Sequence, residues 1–176
     1  LVNSVDNEGK INTKQKGGAI VQYKALTIDG REGIVKDLLT KEGKSVNIKD
    51  VAKYLENTIM KDTKLQGGSL ENAFNRLSIT LNGLQRRADA NGNIPLSVVH
   101  DAKVAEAGNI NYSVPSSKNE AKAVARGLKE IVENNSSQNV KEINNELSKY
   151  YNDIEMLSDL DGKRVKGGRL GKYFAQ

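Results

Sequence analysis

The strongest constraint in this sequence is the spacing of its apolar residues. Leu70, Ala73, Phe74, Leu77, Leu81, Leu84 and Ala88 recur at intervals of three and four. That spacing returns side chains to one face of an α-helix, whereas a half-buried strand needs strict alternation. At 1.5 Å per residue the helix is about 28 Å long. Gly67-Gly68 interrupts the chain before it, and Ser69 is the expected cap.

The same pattern recurs along the chain. Ile48, Val51, Ala52, Leu55 and Ile59 form a second stripe, with Asn47 as its cap and Val46 placed to close over Val51. Ala121, Val124, Ala125, Leu128, Ile131 and Val132 form another, after a Ser117/Glu120 capping box and ending at Asn134–Ser137. Between Gly18 and Glu42, Val21, Ile28, Ile34, Val35, Leu38 and Leu39 suit a helix. Gly30 and Gly33 weaken it by about 1 kcal/mol each relative to Ala, which predicts a break near Asp29–Gly30. A short strand over Val21–Ile28 is the alternative. Ser97 is the expected cap of a short helix reaching Ala105, and Ile110, Tyr112 and Val114 alternate as a short extended segment.

Val140, Ile143, Leu147, Tyr150, Ile154 and Leu157 alternate by three and four over two and a half heptads. Coiled-coil seams use this pattern. The run is shorter than a self-sufficient coiled coil needs, so packing on another helix of the same chain is favoured over a seam between chains. Gly162 stands where a helix-ending glycine belongs. Three Gly-Gly pairs, at 17–18, 67–68 and 167–168, read as linkers. The resulting expectation is an all-α protein: an elongated antiparallel helical bundle of five or six helices. It comprises a flexible lead-in (1–17), a helical domain (18–161) and a basic, Gly-rich tail or linker (162–176).

Composition sets outer limits. Leu, Ile, Val and Phe total 44 of 176 residues, 25%, above the ~20% below which chains fail to fold. No Cys is present, which removes thiol nucleophiles, disulfides and thiolate metal sites. No stretch approaches the ~18 apolar residues of a membrane span, and no signal peptide is legible. The chain opens on Leu1 and stops after Tyr173-Phe174-Ala175-Gln176, so a piece of a longer protein is expected.

The 27 Lys and Arg exceed the 22 Asp and Glu by five, and all five lie in the last fourteen residues: Lys163, Arg164, Lys166, Arg169 and Lys172. The other 162 residues carry 22 of each sign. Phosphates of nucleic acid, or an anionic membrane surface, would suit such a run, with Tyr173 and Phe174 beyond it for base stacking. A linker or a protein partner contact is the plainer account.

No catalytic constellation emerges. His100 is the sole imidazole, and its neighbour Asp101 points about 100° away on a helix. Ser97 lies one turn earlier but serves better as a cap. The stretch Asp89–Asn93 has calcium-loop flavour, but the register fails: an EF-hand needs Gly at position six and Glu at twelve, where Ile94 and His100 stand. It reads as an Asx-rich turn. Gly162–Lys172 (GKRVKGGRLGK) lacks the spacing and the preceding strand of a phosphate loop. The carboxylate pairs Glu130/Glu133 and Asp159/Asp161 suit a solvated charged face. No cofactor, metal ligand set or catalytic residue is assigned.

Four segments carry a resemblance: Leu26–Gly43 (LTIDGREGIVKDLLTKEG), Arg87–Val104 (RADANGNIPLSVVHDAKV), Ala125–Glu133 (ARGLKEIVE) and Leu160–Gln176 (LDGKRVKGGRLGKYFAQ). Together they resemble internal stretches of very long virion-associated proteins of tailed bacteriophages and prophages. The resemblance spans about residues 18–176, the last segment being the most distinctive. It implies a fragment of a minor structural protein, located in the virion or the host cytoplasm, with no catalytic residues. In those proteins a glycine-rich apolar stretch follows the last segment. The functional expectation is a non-enzymatic assembly module, working through a protein partner or self-association by the Val140–Leu157 seam and the basic tail. The alternative is a nucleic-acid-binding module using that tail. A carboxylate-pair enzyme acting on glycans is the third reading.

Overall fold

The computed structural model describes the backbone of residues 17–110 and 115–167, and the side chains of 28–110 and 118–157. Among the described residues the chain is all-α: six helices and one two-stranded ribbon. In order these are α1 (Gly17–Glu42), β1 (Ser45–Asn47), α2 (Ile48–Lys61), α3 (Gly68–Arg86), β2 (Asn93–Pro95), α4 (Leu96–Gly108), α5 (Pro115–Asn134) and α6 (Gln138–Gly167).

The helices divide between two compact units. One runs from Ile34 to Asn144; the other combines the described residues up to Gly33 with those from Asn145 onward. In the Ile34–Asn144 unit, α5 packs against α2, α3 and α4, and α2 packs against α3. Its apolar face explains this centrality: Ala121, Val124, Leu128, Ile131 and Val132 are all buried. Gly127 lets α2 approach closely, since a Cβ there would lie 2.5 Å from Leu55 Cδ2.

The ribbon was not expected from the sequence. β1 and β2 pair antiparallel, with Ser45 opposite Pro95, Val46 opposite Ile94 and Asn47 opposite Asn93. Each strand leads directly into a helix, and its partner segment satisfies that helix's first N–H. Ile48 N donates to Gly92 O at 2.8 Å, and Leu96 N donates to Lys44 O at 2.9 Å. The ribbon therefore substitutes for a side-chain cap on α4. Ser97, the expected cap, lies inside the first turn behind Pro95, and no side chain caps that end. Asn47 does cap α2, its Oδ1 accepting from Lys49 N at 3.0 Å. Val46 takes its place in the ribbon opposite Ile94.

Other expectations are corrected. α1 runs unbroken through Asp29–Gly30, with no strand at Val21–Ile28. Gly30 and Gly33 adopt no left-handed conformation, and Ile28, Glu32, Val35 and Leu39 hold one buried stripe across them. That burial offsets the glycine cost. α1 ends instead at Gly43, whose φ of 64° suits a helix-ending glycine and whose N–H donates to Leu39 O. Ser69 does not cap α3. The chain enters at Gly67 (φ 55°), and Ser69 Oγ braces the preceding turn by accepting from Gln66 N. α5 starts at Pro115, so Ser117 lies within it rather than at its cap; proline suits a first helical position. α6 passes through Gly162, where an end was expected, and reaches Gly167. No proline follows Gly162, and Lys163, Arg164 and Lys166 are good helix formers. At 30 residues α6 is about 45 Å long. Of the segment expected to alternate at Ile110, Tyr112 and Val114, the last two positions lie outside the described residues.

In the other unit, the end of its α1 portion meets the start of its α6 portion through mixed polar and aromatic contacts. Arg31 Nε donates to Glu146 Oε2 at 2.9 Å, and the same guanidinium lies 4.9 Å above the Tyr150 ring. Tyr151 Oη donates to Glu32 Oε1 at 3.0 Å.

Candidate functional site

Of the five tail cations, Lys163, Arg164 and Lys166 lie on the backbone of α6's final turns, while Arg169 and Lys172 lie outside the described residues. The helix thus carries part of what composition suggested was a linker. The seam residues separate into two groups. Val140 and Leu147 are fully buried, while Ile143, Tyr150, Ile154 and Leu157 are half-buried. The buried line also includes Asn144, at 1% exposure, which apolar spacing could not reveal.

His100, the sole imidazole, is buried despite its polarity. It is 1% exposed, on the face of α4 that also buries Leu96, Val99, Lys103, Glu106 and Ala107. Asp101 turns elsewhere and forms ion pairs with two cations, Lys36 at 3.1 Å and Arg87 at 3.6 Å. His100 and Asp101 therefore do not form a base and its orienting carboxylate.

The Asp89–Asn93 turn is held by its own hydrogen bonds. Asp89 Oδ1 accepts from Asn91 N and Asn93 N, both at 2.9 Å, and Gly92 turns the chain with φ 81°. The Asn47 side-chain amide donates to Asn91 O at 3.0 Å and to Asn93 Oδ1 at 3.3 Å. An N–H donor thus occupies the oxygens that a cation would need. Among the described residues no cluster of three or more His, Cys, Asp or Glu is arranged to hold a metal ion. No described helix is long and apolar enough to cross a membrane.

Clefts open on the Ile34–Asn144 unit, and two of them are lined mainly by polar and charged residues. The larger, about 520 Å³, lies where the end of α2 and the following loop face α5. Glu130, expected on a solvated face, instead accepts from Tyr54 Oη at 2.7 Å at its edge. Glu133 is likewise half-buried and pairs with Lys129 at 3.7 Å. Proximity to a carboxylate raises the Tyr54 pKa: the hydrogen bond to Glu130 leads, followed by burial and by the Glu130 charge. Asp62 Oδ1 accepts from Lys64 N at 3.0 Å, closing the turn after α2. The side chains of Asp159 and Asp161, the other carboxylate pair, lie outside the described ones.

The smaller cleft, about 360 Å³, is flanked by two buried carboxylates. Glu106 accepts from Arg76 at 3.2 Å and from Thr80 Oγ1 at 3.4 Å; Glu120 accepts from Asn72 Nδ2 at 3.4 Å. Each carboxylate is engaged by neighbouring donors, so the pair builds the α3–α4–α5 packing. Sequence reasoning missed both clefts, because their residues come from distant segments and are individually unremarkable polar positions.

No protein-family model, curated protein or solved structure matches this chain.

Proposed function

We propose that this protein is a non-enzymatic assembly module, a segment of a large virion-associated phage protein, acting by helix-face contact with a second copy of itself. The observation that carries this reading is the course of the α6 seam. Its apolar repeat is covered at Val140 and Leu147 and continues past them to half-buried Ile154 and Leu157, with Met156 56% exposed beside them. The stripe outlasts its cover. A seven-residue repeat presents the same face on every copy, which suits self-pairing. The phage assignment rests on the four sequence segments that resemble such proteins.

Sedimentation equilibrium over rising protein concentration tests the contact. Self-association is expected, and Ile154→Lys with Leu157→Lys should abolish it while leaving helicity unchanged. A chain that stays monomeric at high concentration, and that captures no virion protein from particle lysate, refutes the reading.

The second reading is polyanion binding through the C-terminal cations. It is favoured by the five cations within the last fourteen residues, three of which lie on the backbone of α6.

A further inference from the structure

The larger cleft has a charge arrangement that its packing role leaves unexplained. Three cations line it: Lys61 from the last turn of α2, Lys64 from the following loop and Arg126 from α5. All three are exposed, and none has an ion-pair partner among the described residues. Each of the two carboxylates lining the cleft accepts a hydrogen bond from a neutral donor, which leaves three cations against two anions. Glu130 accepts from Tyr54 Oη at 2.7 Å, and Asp62 Oδ1 accepts from Lys64 N at 3.0 Å.

Lys61 has a sufficient structural account, because the carbonyl end of a helix favours a cation. Lys64 and Arg126 have none. They reach one cleft from segments about sixty residues apart in sequence. Asn57 and Thr63 add neutral donors to the same wall. The volume of about 520 Å³ falls in the range of small-molecule sites, roughly 300–1,000 Å³. Guanidinium and ammonium groups without internal partners, outnumbering the carboxylates beside them, suit a ligand with oxygen acceptors and negative charge.

We propose that this cleft binds a small oxyanion ligand, a phosphate or carboxylate group on a compact molecule, held by Arg126 and Lys64 with Lys61 supporting. Tyr54 is a positioning residue: its hydroxyl ties Glu130 back and keeps that carboxylate from pairing with Arg126. The site is independent of the α6 seam.

The test is calorimetric titration of the full 176-residue chain with pyrophosphate and, separately, with citrate, in phosphate-free buffer at low salt. Saturable one-site binding of either probe is expected. Lys64→Gln with Arg126→Gln should weaken it at least tenfold, with the helical circular dichroism unchanged because both residues are exposed. Tyr54→Phe should weaken it less. Pyrophosphate alone binding identifies a phosphate-bearing ligand, citrate alone a carboxylate-bearing one, and both a site that reads charge. Neutralising Lys163, Arg164, Lys166, Arg169 and Lys172 together should leave the affinity intact. No saturable binding, or binding lost in the tail variant but retained in the cleft variant, overturns the proposal.

Discussion

Gly127 offers a direct test of how α5 holds α2. Replacing it with alanine has two opposed effects. Alanine is the better helix former by about 1 kcal/mol, a gain available at any interior helical glycine. Against it, the new Cβ would lie 2.5 Å from Leu55 Cδ2 and 3.6 Å from Thr58 Cγ2. Leu55 is fully buried, so its methyl group has nowhere vacant to move. Overpacking of this kind costs roughly 1–3 kcal/mol. Gly127→Ala should therefore be destabilising by up to about 2 kcal/mol. Gly83 supplies the control, being helical, in the same unit and with nothing within 4 Å of its would-be Cβ. Gly83→Ala should stabilise by up to about 1 kcal/mol. The difference between the two variants removes the propensity contribution and isolates the close approach. Urea denaturation followed by circular dichroism measures both. A second comparison removes the obstacle: in a Leu55→Ala background, itself about 2–5 kcal/mol less stable, Gly127→Ala should become favourable. Equal stability changes at Gly127 and Gly83, or no coupling between positions 127 and 55, would refute the claim that glycine is required there.

Four further outcomes follow from the geometry. Gly30→Ala with Gly33→Ala should stabilise by about 2 kcal/mol in total, because both positions are helical and open; a loss of helicity would restore the broken-helix alternative for α1. Glu106→Gln should cost about 2 kcal/mol by weakening the hold on Arg76 and Thr80, lowering the Tm by roughly 4–8 °C; an unchanged Tm would show that the contacts are dispensable. Tyr54, whose pKa is raised from 10.0, keeps its proton in the folded chain at a pH where the unfolded chain has released it. Its contribution is thus complete below pH 10 and declines as pH rises through the folded value, so the stability gap between wild type and Tyr54→Phe should narrow above pH 10 in chemical denaturation. If nucleic acid binds through the tail, a plot of log K against log salt should have a slope no steeper than about −4.5, the limit for five phosphate contacts; binding unaffected by neutralising the tail would exclude it as the site.

What the sequence made legible depended on whether the buried face was apolar. α2 and α3 follow from their stripes, and Val51, Leu55, Ile59, Ala73, Leu77 and Leu84 are buried as the spacing requires. α4 was expected as a short helix, but its buried face was not, because that face carries His100, Lys103 and Glu106, positions that binary patterning assigns to solvent. The ribbon escaped because three-residue strands are too short to alternate, and their pairing joins segments nearly fifty residues apart. Glycine was overread at both Gly30 and Gly162. A glycine interrupts a helix only when the chain needs a conformation that other residues resist, and Gly43, Gly67 and Gly92 are the described glycines with positive φ. The cleft cations could not be found by local charge, since Lys61, Lys64 and Arg126 stand among balanced charges in sequence and meet only in the fold.

That last point changes what the charge count means. Outside the last fourteen residues the chain carries equal numbers of cations and anions, which suggests a body without electrostatic preference. Equal numbers match only if carboxylates accept from cations, and here several accept from neutral donors instead. Glu42 accepts from Ser137 N, Asp62 from Lys64 N, Asp89 from Asn91 N and Asn93 N, and Glu130 from Tyr54 Oη. Each such bond closes a turn, a helix end or a helix contact, so the fold requires it. A carboxylate held this way keeps its charge but has a fixed position, so it is less free to swing toward a nearby lysine or arginine. Folding therefore redistributes charge locally without changing the total. It does so most clearly where two of these carboxylates and three cations line the same cleft.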